Sequence, residues 1–115
     1  MTVTIFHNPA CGTSRKTLEI LRERGLEPTV VEYLKTGWTK PQLKDLLKAM
    51  GARPADILRT KGDRATELGL TAPGVSGEAI LDAMVAEPAL VERPIVTTPK
   101  GAALCRPQER VLDLL

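Results

Sequence analysis

Aromatic residues are scarce: Phe6, Tyr33 and Trp38 are the only three in 115 residues, too few for the stacked platforms that hold single-stranded nucleic acid. Nor does charge of one sign prevail. Sixteen Lys and Arg face fourteen Asp and Glu, a formal charge of +2, which argues against a nucleic-acid or anionic-membrane binder and requires any basic site to be local. The longest apolar runs, such as Ala83 to Ala86, have four residues, whereas a membrane-spanning helix needs roughly 20. Two cysteines and one histidine cannot complete a four-ligand zinc site of those types and are no disulfide framework, so neither a metal nor a bound cofactor is expected. The opening Met1-Thr2-Val3-Thr4-Ile5-Phe6 has no basic leader and no apolar signal core. A cytoplasmic address with both thiols free is the expectation.

What is present is an ordinary globular composition, 43% apolar and 26% charged, which excludes intrinsic disorder. The length suits one domain, residues 1–115, built on a single core. Thr2 to His7 is rich in β-formers, Asn8 to Thr13 reads as a loop, and Ser14 to Arg24 as a helix with Leu18 and Leu21 on one face and Gly25 as its stop. Pro28 to Tyr33 is a second strand, and a βαβ unit makes the two strands parallel. A helical insertion over about 39–90 follows: Thr39 caps Lys40 to Met50, Arg53-Pro54 opens a short helix through Leu58, and Ser76 caps a helix through Val85, with Lys61 to Leu70 helix or loop. Pro94 to Thr98 then reads as a strand, Pro99-Lys100-Gly101 as a turn, Ala102 to Cys105 as its hairpin partner, and Pro107 as the start of a terminal helix. The order βαβ, helices, ββα predicts an α/β fold, a thioredoxin-like mixed four-stranded sheet with flanking helices. In open α/β sheets ligands gather where a strand ends and a helix begins, and Cys11 occupies that loop.

A sulfur just before a helix N-terminus meets unpaired backbone N–H groups and the positive end of the helix dipole, so thiolate is favoured. Such surroundings can lower a thiol from about 8.5 to roughly 3.5–7.5. The alternative for any single cysteine is a buried structural role. Cys11-Gly12-Thr13-Ser14 is a C-x-x-S motif, in which a hydroxyl replaces the second thiol of a redox pair, so a resolving thiol must come from elsewhere. Ser14 reads equally as a helix cap. His7, four positions before Cys11, would favour thiolate as a cation, or is a solvated polar residue at a strand end. A cysteine phosphatase loop, C-x5-R, is absent because position 17 is Thr17, and neither the G-x-x-x-x-G-K-[ST] nor the G-x-G-x-x-G fingerprint occurs.

Four segments together resemble the signature of the glutaredoxin-coupled arsenate reductases: His7 to Arg15, Leu58-Arg59, Glu92 to Val96, and Leu104 to Pro107. The resemblance spans nearly the whole chain. It implies a nucleophilic Cys11, with Arg59, Arg93 and Arg106 converging on the arsenic oxyanion, arsenate as substrate, glutathione as co-substrate and glutaredoxin as thiol donor. Three guanidinium forks would match the oxyanion and offset its repulsion of a thiolate. Thioredoxin-like folds place a cis-proline beside the catalytic cysteine, and Pro94 is the matching candidate; an X-Pro bond tolerates cis readily. Cys105 could serve as a resolving thiol, but in extended chain Cys105 and Arg106 point to opposite faces, which favours a structural Cys105. Two other readings share the fold: a Spx-type regulator that binds RNA polymerase, usually with C-x-x-C, and a glutathione-dependent thiol reductase acting on another substrate.

Overall fold

The structure, a computed structural model, describes residues 2–115, which group into two compact units: one runs to Thr36 and resumes at Arg93–Leu115, the other is Gly37–Glu92. The first contains all four strands, β1 (Thr4–His7), β2 (Thr29–Glu32), β3 (Ile95–Thr98) and β4 (Gly101–Leu104). Their order across the sheet is β2-β1-β3-β4, with β2 parallel to β1 and the other pairings antiparallel. The mixed sheet is the thioredoxin-like arrangement that the order of elements predicts.

Helix α1 (Gly12–Glu23) covers one face of this sheet by a simple periodicity. Its buried residues Ser14, Thr17, Leu18 and Leu21 recur at the three- and four-residue spacing of one helical stripe. Leu18 and Leu21 join Val3 and Ile5 from β1 and its approach, Val96 from β3, Cys105 after β4, and Val111 and Leu114 from the terminal 3-10 helix in one cluster. Because strand side chains alternate, His7 shares the α1-facing side of β1 with Ile5. The same alternation that builds the core therefore delivers His7 to the first turn of α1.

The helix begins at Gly12, two residues earlier than the sequence reading places it, with Cys11 as its N-cap in extended backbone at φ −92°, ψ 121°. Ser14 is thus inside the first turn and does not cap it. Strand β2 stops at Glu32, and Tyr33–Thr36 turns into a short helix, α2. The terminal segment Gln108–Leu114 winds as a 3-10 helix.

The second unit holds α3 (Lys40–Met50), α4 (Arg64–Glu67) and α5 (Gly77–Ala86) with two short 3-10 turns, Pro54–Ile57 and Pro88–Leu90. Thr39 accepts from the Gln42 amide while the Gln42 side chain reaches back to the Thr39 amide, a capping box that starts α3. Gly51 closes it at φ 63°, a left-handed geometry suited to glycine. Lys40 bridges Glu78 and Asp82, which ties α3 to α5. An isolated antiparallel bridge, Leu58 to Val91, joins the two 3-10 turns. Among the described residues no helix is long and apolar enough to cross a membrane.

Candidate active site

The loop after β1 is held by its own backbone. Cys11 N–H donates to Asn8 C=O at 3.0 Å, and the Asn8 side chain accepts from Ala10 N–H at 3.0 Å, an Asx turn that rounds the corner. Arg15 reaches back from the helix and donates to Pro9 C=O at 3.0 Å. Asn8 and Arg15 are thus structural members of the site. From the sequence, Asn8-Pro9 reads as part of a loop and Arg15 as a first-turn cation that favours the thiolate; the structure gives both a bracing role in the loop.

Ser14 is fully buried, and its hydroxyl is engaged on two sides: it accepts from Asn8 N–H at 3.1 Å and lies 2.6 Å from His7 Nδ1. Burial pushes His7 below its ordinary range, and Arg22 and Arg15 act in the same sense against the opposing pull of Glu32. His7 is therefore a buried neutral imidazole, not a solvated strand end. With its oxygen already accepting from Asn8, the Ser14 hydroxyl has its own proton to give, and neutral Nδ1 can take it. His7 and Ser14 together brace the loop from beneath.

Cys11 itself is half-buried. Burial raises its pKa, but the Ser14 backbone N–H and the guanidinium groups of Arg93 and Arg106 lower it, the Arg93 charge adding to them, so the thiol ends below its ordinary 9.0. Ser14 supports the sulfur through its main chain, as expected of a first-turn amide at a helix N-terminus.

Both arginines come from the far end of the chain. Arg93 precedes Pro94, and the Arg93–Pro94 bond is cis, as the comparison of segments predicts; Arg106–Pro107 is cis as well, which the sequence reading did not anticipate. Arg106 Nη1 stands 3.7 Å from Cys11 Sγ and also donates to Arg93 C=O at 3.0 Å, so one guanidinium is braced by the backbone of the other arginine. Arg93 Nε is buried, and among the described residues nothing accepts from it. A buried donor of this kind is costly unless an acceptor arrives, and the oxygen of an anion beside Cys11 is chemically suited to it.

Cys105 faces the other way. Its N–H donates to Pro94 C=O at 2.9 Å, its side chain is fully buried in the core cluster, and burial pushes the thiol up to about 12. It is a structural sulfur with no access to solvent. The two side chains do part, Cys105 into the core and Arg106 to the thiol, but both residues follow β4 in a tight turn closed by Arg106 N–H donating to Leu104 C=O at 3.1 Å, so the turn and not strand alternation separates them.

Arg59 belongs to the second unit, where its Nη1 donates to Glu92 Oε1 at 2.7 Å. The sequence reading noticed both residues in separate signature segments without pairing them. Among the described residues no group of three or more His, Cys, Asp or Glu could hold a metal ion. The first unit thus offers a half-buried sulfur whose thiolate is favoured by two guanidinium groups and a backbone amide.

Comparison with known proteins agrees with this arrangement. Over 115 residues the chain is 52% identical to an arsenate reductase of Rhizobium meliloti strain 1021, covering 100% of this chain and 82% of that protein. An arsenate reductase of Escherichia coli K12 is 46% identical over 113 residues, with 98% and 80% covered. The solved arsenate reductase from Vibrio cholerae superposes with a TM-score of 0.95 at 39% identity, covering 100% of this chain and 98% of that one. A family model described as the ArsC family matches residues 6–114, so the chain belongs to the ArsC family.

Proposed function

We propose that the protein is an arsenate reductase in which Cys11 is the nucleophile. The observation that carries the reading is the sulfur at the N-cap of α1, stabilised as thiolate by the Ser14 amide, Arg93 and Arg106. Arsenate is largely dianionic near neutral pH and repels a thiolate. Two guanidinium groups already aimed at the sulfur offset that repulsion and offer planar donors to the oxygens that gain charge during attack.

Cys11 thiolate attacks As(V), an S–As bond forms, and an oxygen leaves as water after protonation. Glutathione thiolate adds to this adduct with loss of a second water. A glutaredoxin thiolate then attacks the glutathione sulfur; the S–As bond to glutathione breaks, its electron pair reduces As(V) to As(III), and a glutaredoxin–glutathione disulfide forms. Water displaces arsenite from Cys11. External thiols are required because the C-x-x-S motif lacks a second sulfur and Cys105 is buried with a raised pKa. In this reading Arg59 is the third arginine on the oxyanion, His7 and Ser14 hold the loop, and Pro94 carries Arg93. The two free thiols suit a reducing, cytoplasmic setting.

The test is an arsenate reduction assay with and without glutathione and glutaredoxin. Activity that needs both, and that Cys11→Ser abolishes while the protein stays folded, is expected. Turnover retained in Cys11→Ser overturns the reading. No arsenate turnover together with co-purification of RNA polymerase would replace it with the regulator.

A further inference from the structure

Arginine side chains are flexible, and a binding arginine needs something to aim it. Arg106 is braced by the Arg93 carbonyl. Arg59 follows the end of a 3-10 turn and lies in no helix or strand, so regular structure does not set its direction.

Its neighbours do. Leu58 and Val91 form an antiparallel bridge, flanked by Arg59 N–H donating to Leu90 C=O at 2.7 Å and Glu92 N–H donating to Ile57 C=O at 2.8 Å. In such a pairing the residues after Leu58 and after Val91 lie on the same face, diagonally placed, at a separation that long side chains can span. Arg59 Nη1 and Glu92 Oε1 close that diagonal at 2.7 Å, with side chains only 19% and 20% exposed. A partly buried pair held by a backbone bridge fixes orientation better than a surface ion pair does. Guanidinium carries five N–H donors in a rigid fork. Anchoring one edge on Glu92 leaves the direction of the rest defined.

We propose that Glu92 is a positioning residue for the reductase reaction, one that fixes the orientation of Arg59, the residue that the arsenate-reductase reading assigns to the oxyanion. The inference rests on the arsenate-reductase reading and on the place of Arg59 within it. The carboxylate has a second consequence, since it lowers the net positive charge offered to any oxyanion. Orientation and charge make opposite forecasts. If Glu92 only diluted charge, its removal would tighten substrate binding. As a positioning residue, its removal weakens binding.

The experiment is a double-mutant cycle on Glu92→Gln and Arg59→Ala, with kcat and KM for arsenate measured in the complete glutathione and glutaredoxin assay. Glu92→Gln is expected to lower kcat/KM roughly tenfold, the scale typical of lost outer-sphere support. The loss should fall mainly on KM, as for binding that is weakened equally in ground and transition states. In the Arg59→Ala background the same substitution should change nothing further. Thermal melts and the pH profile of Cys11 alkylation should match the parent protein. Should Glu92→Gln fail to fold, Glu92→Asp keeps the charge but withdraws it by one methylene, and a smaller loss with the same non-additivity is expected. A defective Arg59→Ala beside an unimpaired or improved Glu92→Gln overturns the inference alone, as does an equal loss from Glu92→Gln in both backgrounds. Parental turnover in Arg59→Ala removes Arg59 from the oxyanion site and takes this inference with it.

Discussion

Replacing Arg106 by Ala should shift the Cys11 thiol toward its protonated form by an amount that the geometry sets. At 3.7 Å a guanidinium and a thiolate attract by about 1.1 kcal/mol in bulk water and about 4.5 kcal/mol at an effective dielectric of 20. Cys11 is half-buried and the contact is long for a hydrogen bond, so the lower end applies. About 1 to 1.4 kcal/mol corresponds to a roughly five- to tenfold smaller thiolate fraction below the titration midpoint. Arg93→Ala should act in the same direction and more strongly, because Arg93 contributes both a hydrogen bond and its charge to the sulfur. Ultraviolet thiolate absorbance against pH is the preferred readout. Alkylation rates would understate the change, since a thiolate of higher pKa is intrinsically the better nucleophile. The signal belongs to residue 11, because Cys105 is buried with its thiol pushed up to about 12. Identical titration curves for the parent protein and both variants would show that the guanidinium groups do not stabilise the sulfur, and the electrostatic account of the site would fail.

Two other outcomes follow from the packing. The Cys105 thiol rises from 9.0 to about 12 on folding, so the unfolded chain releases its proton first and stability falls as pH climbs from 9 toward 12, by up to roughly 1.4 kcal/mol per pH unit. Denaturant titrations at several alkaline pH values should find this slope reduced in Cys105→Ala; an unchanged slope would mean that the buried thiol is not the group responsible. Thr39→Ala removes the oxygen that receives the Gln42 amide at 3.2 Å and should cost about 1 kcal/mol, seen as a lower denaturation midpoint, whereas no change would mean that the cap is dispensable.

Local signals were the legible part of the fold. Thr39 before Lys40-Pro41 and Ser76 before Gly77-Glu78 mark helix starts within a few residues of sequence, and each side chain does accept from an amide three positions on. Strand alternation anticipated that Cys105 and Arg106 would part, but β4 ends at Leu104 and a turn at Cys105 is what sends them different ways. The start of α1 was misplaced for an equally local reason: Gly12 and Thr13 are poor helix formers, and burial of Ser14 and Thr17, together with Cys11 as N-cap, decides the matter from outside their own preferences.

The site was legible as residue types and illegible as geometry. Cys11 and Arg106 are 95 positions apart and Arg59 and Glu92 are 33 apart; no periodicity relates such pairs, so only a resemblance of segments could name them. Arg15 shows the cost of reading charge without geometry. Placed in the first turn of α1, it reads as support for the thiolate, yet its guanidinium is engaged by Pro9 C=O, and the side chains that chiefly lower Cys11 are Arg93 and Arg106. The charge that matters to the sulfur arrives from Arg93 and Arg106, which are carried to it by the strand pairing of β1 with β3 and of β3 with β4. A cation near in sequence can thus serve the loop, while the cations that serve the thiol are brought by the sheet.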